Sequence, residues 1–151
     1  MGQDEVEILF IEDDPADAEL ALHALRGENL GNRIHVLRDG EEALDFIFCR
    51  GAFADRPANP TPRLVLLDLK LPKVDGLEVL RQLKENPHTR PIPVVILTSS
   101  REEQDLIRGY QLGVNSYIQK PVDFEQFRET IKRLGLYWLV VNQGPPPSAC
   151  G

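Results

Sequence analysis

Short apolar runs punctuate the chain at Ile8–Ile11, Ile34–Leu37 (with His35 inside it), Leu64–Leu67, Val94–Leu97 and, more weakly, Tyr117–Ile118. Each is brief and mostly continuous in Val, Ile and Leu rather than alternating with polar residues. That pattern belongs to strands covered on both faces, as in parallel sheets. Between the runs, apolar residues recur at helical intervals: Ala18, Ala21, Leu22 and Leu25; Leu77, Leu80 and Leu83; Leu106, Ile107 and Tyr110; Phe124, Phe127, Ile131 and Leu134. Helix starts are marked by Asp14-Pro15 with Asp17 three residues past the cap, and by Asp75…Glu78, Ser100…Glu103 and Asp123…Gln126 at or near capping-box spacing. Stops follow at Gly27, Asn86-Pro87 and Gly113. A further helix near Glu41–Phe48 carries weaker signals. Five strand–helix alternations predict an α/β domain, a (βα)5 doubly wound parallel sheet with helices on both faces and right-handed crossovers.

Length and composition narrow the picture. The 151 residues suit one domain, and 42% hydrophobic with 27% charged residues is enough for a packed core. With 17 Lys and Arg against 24 Asp and Glu, the net charge of −7 speaks against nucleic acid as a partner, since nonspecific binding needs basic charge against phosphates. Cys49 and Cys150 make no disulfide framework, so a reducing compartment is expected. The opening MGQDEVE is not a signal peptide, and the uncharged stretch from Leu134 is broken by Asn142, Gln143, Gly144 and three prolines, too early for a membrane span. The expectation is a soluble cytoplasmic domain over 5–139, C-terminal extension included, with a tail at 140–151 that is flexible at its end. The connection Gly51–Arg63, with Pro57, Pro60 and Pro62, is longer than usual between a helix and a strand.

The polar residues that end each apolar run carry the chemistry. In an open parallel sheet, ligands bind at the carboxyl ends of the strands. There stand Glu12-Asp13-Asp14, Asp68, Thr98-Ser99-Ser100 and Lys120-Pro121. Asp14, ahead of Pro15 and Asp17, reads as a helix cap. The remaining carboxylates converge on one rim, where like charges about 4 Å apart repel by roughly 4 kcal/mol at an effective dielectric constant near 20. A hard divalent cation relieves that repulsion, and Mg2+ prefers such oxygen ligands. One carboxylate then remains as a nucleophile toward phosphorus, while Lys120 and the Thr98 hydroxyl hold phosphoryl oxygens.

IEDDP, LLDLKLPKVDG, ILTSS and YIQKP, in this order and spacing, resemble the receiver domain of bacterial two-component response regulators over about residues 6 to 134. The resemblance implies the flavodoxin-like receiver fold with strand order 2-1-3-4-5. It implies Asp68 as the aspartate phosphorylated from a sensor histidine kinase, with Mg2+ as cofactor. Glu12 and Asp13 match the acidic pair. Asp13 would ligate the metal directly and Glu12, a departure from the commoner Asp, more through bound water. Asp68 and the backbone carbonyl of Lys70 complete the metal set. Thr98 and Tyr117 match the pair that rearranges on phosphorylation, Tyr117 having the alternative of a core aromatic. Lys120 matches the phosphate-contacting lysine, and Lys70 and Ser100 occupy positions that tune dephosphorylation. His23, His35 and His88 follow no metal or relay pattern. Such a protein is a signalling phosphoacceptor, not an enzyme on external metabolites. The long segment before the third strand, LGLYWLVV and the Pro-rich end resemble the stand-alone regulators paired with bacterial phytochrome kinases.

Three rival functions compete. A flavodoxin-like cofactor binder needs a phosphate-cradling loop after the first strand, and EDDPAD would repel an anion. A dehalogenase-type aspartyl phosphatase needs a second Asp two residues past the nucleophile, which Asp13-Asp14-Pro15 does not supply. A phosphorylation-independent adaptor with a degenerate site remains open. The chain ends soon after the receiver region, so output is expected through protein contact rather than an appended DNA-binding domain. Leu136, Tyr137, Trp138, Leu139, Val140 and Val141 form an unbroken apolar run beyond what one helix stripe needs, and predict a homodimer interface.

Overall fold

Five parallel strands form one sheet in the order β2-β1-β3-β4-β5. They are β1 (Ile8–Ile11), β2 (Ile34–Leu37), β3 (Leu64–Asp68), β4 (Val94–Thr98) and β5 (Ser116–Gln119). Helices α1 (Pro15–Arg26), α2 (Gly40–Ile47) and α3 (Gly76–Glu85) connect them, a 3-10 turn spans Gly51–Phe53, and α4 (Phe124–Arg133) follows β5. The computed structural model describes residues 8–26, 34–55, 62–99, 113–114, 116–120 and 123–133. The helix expected within 100–112, Leu134, the segment Leu136–Val141 and the tail at 140–151 lie outside the described residues.

The sheet is covered on both faces, and strand alternation divides the core in two. Leu9, Ile11, Val65, Leu67, Val94 and Ile96 pack toward α2 and α3, against Ala43, Leu44, Val79, Leu80 and Leu83. Ile8, Phe10, Leu64, Leu66, Val95, Leu97 and Ile118 point the other way, against Ala18, Ala21 and Leu22 of α1 and Phe127 of α4. Neither face of β1 or β3 meets water, which is why their sequences carry no alternation. Burying each such Leu, Ile or Phe contributes about 1.5–3 kcal/mol. On α4, Thr130 is buried beside Phe127 on the inward side, a position the apolar spacing did not single out.

Local chemistry sets the helix ends. Asp14 Oδ1 accepts from the amides of Ala16 at 2.8 Å and Asp17 at 3.3 Å. Asp75 Oδ1 accepts from Glu78 at 3.0 Å, and Asp123 Oδ1 from Glu125 at 2.7 Å and Gln126 at 3.2 Å. These meet otherwise unpaired first-turn amides. Helix α2 has the same device in Asp39, which accepts from Glu42 N at 2.7 Å. The C-terminus of α3 is tied to the approach of β4. Lys84 Nζ donates to the carbonyls of Arg90 and Ile92, and Thr89 Oγ1 donates to Leu83 O at 2.6 Å. His35 stacks on Phe46 with ring centres 4.7 Å apart, and Phe53 packs edge-on against Phe46.

Two glycines let the segment between β3 and α3 lie against its neighbours. A Cβ on Gly40 would stand 1.8 Å from the carbonyl oxygen of Val74, and one on Gly76 would stand 2.4 Å from that of Asp68 and 2.6 Å from Leu69 Cα. All of these obstructing atoms are backbone, so no side-chain rotation relieves the clash. Gly76→Ala is therefore expected to cost about 2 kcal/mol or more, because the turn after Asp68 must shift. Urea denaturation checks this, and an unchanged midpoint would contradict the close approach.

Candidate functional site

The register of the sheet determines which side chains meet. Ile11 pairs with Leu67 across β1 and β3, so the next residues, Glu12 and Asp68, emerge side by side. Asp68 pairs with Leu97, and Thr98 with Gln119, which brings the ends of β4 and β5, and Lys120 just beyond, to the same rim. Glu12 and Asp68 are buried, with relative exposures of 1% and 5%, while Asp13 is exposed. Carboxylate oxygens of Glu12, Asp13 and Asp68 lie within 4.8 Å of one another. Lys120 Nζ donates to Asp68 Oδ2 at 3.1 Å and to Asp17 Oδ2 at 3.1 Å. It also approaches Glu12 Oε1 to 2.8 Å. That approach is an ion pair without hydrogen-bond alignment, leaving Oε1 a buried oxygen with no directed donor. The other Glu12 oxygen accepts from Asp14 N at 3.3 Å, and Asp68 Oδ1 accepts from Lys70 N at 3.2 Å.

Among the described residues, one ammonium faces more negative charge than it can balance. Burial pushes the Glu12 carboxyl from an ordinary 4.5 up to about 8, with the neighbouring Asp68 adding to the rise and Lys120 opposing it. Burial disfavours the Lys120 charge, but the contacts with Glu12 and Asp68 outweigh it and raise that pKa. A proton on Glu12 is one way to relieve the excess, and a hard cation is another. The donor set of three carboxylates, one of them exposed to solvent, together with the undirected Glu12 Oε1, fits a divalent ion that keeps part of its water. Glu12, Asp13 and Asp68 are the residues that would hold it.

Of the residues singled out from the sequence, the structure brings Glu12, Asp13, Asp68 and Lys120 together. Thr98 closes β4 beside β3, and its side chain lies outside the described atoms. Tyr117 sits on β5 opposite Ile96, half-buried at the edge of the core cluster that faces α2 and α3. Lys70 follows Asp68 by two positions on the exposed turn. Ser100 lies outside the described residues. Asp14 caps α1 and contributes its amide, not its carboxylate, to the Glu12 contact. Asp17 is the residue that sequence reasoning assigned only to helix capping. Its carboxylate reaches Lys120, 103 positions away.

A family model described as the response regulator receiver domain matches residues 8–132. The chain is 43% identical over 147 residues to the probable methanogenesis regulatory protein FilR2 of Methanothrix harundinacea, covering 97% of this chain and 92% of that one. It is 39% identical over 132 residues to the response regulator Rcp1 of Synechocystis sp., covering 87% and 88%. Among solved structures, the bacteriophytochrome response regulator RtBRR is similar with a TM-score of 0.83 at 49% identity, covering 97% of this chain and 87% of that one. A Mn2+-bound form of Rcp1 is similar with a TM-score of 0.70 at 36% identity, covering 93% and 98%.

The raised Glu12 value has a measurable consequence. A folded pKa above the unfolded one means that the group's contribution to stability is full below about pH 4.5. It is then lost as pH rises through about 8. A cation that replaces the proton should therefore stabilise more at the alkaline end. The rise in Tm on adding Mg2+ is expected to grow between about pH 6 and about pH 8, and to lose that growth in Glu12→Gln. A rise independent of pH in the parent chain would count against Glu12 as the displaced proton's site.

Proposed function

The chain belongs to the response regulator receiver family, and we propose that it acts as a stand-alone receiver in which Asp68 takes a phosphoryl group from the phosphohistidine of a sensor histidine kinase. The observation that carries this reading is Asp68 itself: a strand-end carboxylate with Glu12 and Asp13 on one side and Lys120 Nζ at 3.1 Å on the other. In the reaction an Asp68 oxygen forms the new O–P bond while the P–N bond to the kinase histidine breaks and that nitrogen leaves with the bonding pair. Bound Mg2+ would neutralise the charge gathered by the carboxylates and the phosphoryl oxygens. Asp13 would hold it directly and Glu12 more through water, with Asp68 and the Lys70 carbonyl completing the set. Lys120 exchanges its contact with Asp68 for one with a phosphoryl oxygen.

Thr98, at the end of β4, then hydrogen-bonds the phosphoryl group, and Tyr117 moves into the space it vacates. The signal thereby reaches the outer surface around β5, a local charge biasing a two-state element. The receiver unit spans 5–139 and works in the cytoplasm. Similarity to the bacteriophytochrome response regulator RtBRR supports a bacteriophytochrome kinase as the partner and light sensing as the input. The apolar run Leu136–Val141 supports a homodimer. A phosphorylation-independent adaptor is the weaker reading, since such a protein has no need of two buried carboxylates facing a buried lysine.

Two expected outcomes test these points. Acetyl phosphate with Mg2+ should add one phosphoryl group to the intact chain, read by mass spectrometry, and both chelation and Asp68→Asn should abolish the addition; labelling that persists in Asp68→Asn would remove Asp68 from the role. Light scattering should give a dimer for the intact chain and a monomer for a chain ending at Gly135. A monomer in both would end the dimer reading.

A further inference from the structure

Asp17 is the third residue of α1, where an acidic side chain ordinarily turns back to the amide of the capping residue. Here that amide, Asp14 N, is taken by Glu12 Oε2, and the amides of Ala16 and Asp17 are taken by Asp14 Oδ1. Asp17 thus has no capping task, and its carboxylate instead accepts from Lys120 Nζ at 3.1 Å. It sits on the solvent side of the ammonium, its side chain 37% exposed against 14% for Lys120 and 1% for Glu12.

The three carboxylates around Lys120 do not share one fate. Glu12 and Asp68 belong to the cation cluster, and Asp17 does not. On the reading of Asp68 as phosphoacceptor, a bound cation would take up the charge of Glu12 and phosphorylation converts the Asp68 carboxylate to an acyl phosphate, so the pull of both carboxylates on Lys120 falls. We infer that Asp17 is the positioning residue for Lys120, keeping the ammonium at the rim of the site throughout the cycle so that phosphoryl oxygens meet it in place. A lysine side chain has enough rotatable bonds to leave the site when nothing holds it.

Acetyl phosphate labelling at saturating Mg2+ tests this in the full chain. Asp17→Asn should lower the labelling rate about fivefold, equivalent to about 1 kcal/mol, and Asp17→Glu should restore at least about half of the lost rate. In a Lys120→Ala background the same Asp17→Asn change should alter the rate less than about twofold, because the group to be positioned is gone. An equal loss in both backgrounds, or no loss in the parent, overturns the inference. The 15N–1H signal of the Lys120 ammonium in the unphosphorylated protein at saturating Mg2+, where the cation draws on Glu12 and Asp68, gives a readout independent of labelling. It should sharpen in the parent and broaden by exchange in Asp17→Asn, and an unchanged signal overturns the inference even where labelling is too slow to measure. If the parent chain takes no phosphoryl group, the phosphoacceptor reading falls, and the ammonium signal still decides the role of Asp17.

Discussion

Two buried carboxylates, Glu12 and Asp68, stand side by side at the ends of neighbouring strands, and among the described residues a single ammonium, that of Lys120 just past the end of β5, stands against both. Each carboxylate is kept from water by the sheet and its covering helices, so neither can be left to solvent screening. Removing a buried partner from such a set costs more than forming it gained, because the remaining charge is stranded. The site therefore depends on every strand that contributes to it being in register.

The strand order is what makes this assembly possible. Were the strands arranged as they follow in sequence, β2 would separate β1 from β3, and Glu12 would lie far from Asp68. The order β2-β1-β3-β4-β5 sets β1 directly against β3, with the pairing Ile11 to Leu67 one step before the two acids. The connections after β1 and β3 then run to opposite faces, α1 to one and α3 to the other, which opens a crevice at that point. Gly76 allows α3 to begin against the backbone of Asp68 and Leu69, so the turn after β3 is held by backbone contact.

The central strands β1, β3 and β4 were legible in the sequence because strands covered on both faces leave a continuous apolar run. Their last residues were not, since Asp68 and Thr98 join the ladder by backbone pairing alone. Helix α2 was hard to delimit because it begins at Gly40, a poor helix former kept there by its closeness to Val74. The 3-10 turn Gly51–Phe53 falls in a stretch that reads as plain connection, and what places Phe53 is tertiary, its contact with Phe46 and His35. In the site, Glu12, Asp13, Asp68 and Lys120 could be found because each follows an apolar run closely and strand ends converge. Asp17 could not, because a local helix-start explanation was at hand and its partner lies on the opposite side of the sequence.

Glutamate rather than aspartate at position 12 ties the start of α1 to the charged cluster. One Glu12 oxygen reaches Lys120 at 2.8 Å while the other accepts from Asp14 N at 3.3 Å. An aspartate, shorter by one carbon–carbon bond of about 1.5 Å, would have to give up one of these contacts from the same backbone position. The longer side chain thus satisfies the amide of the capping residue that Asp17 would otherwise serve, and Asp17 is thereby available to Lys120. Cap, ammonium and acidic pair form one connected set, so a Glu12 side chain that turns toward a cation must loosen either its hold on α1 or its hold on Lys120.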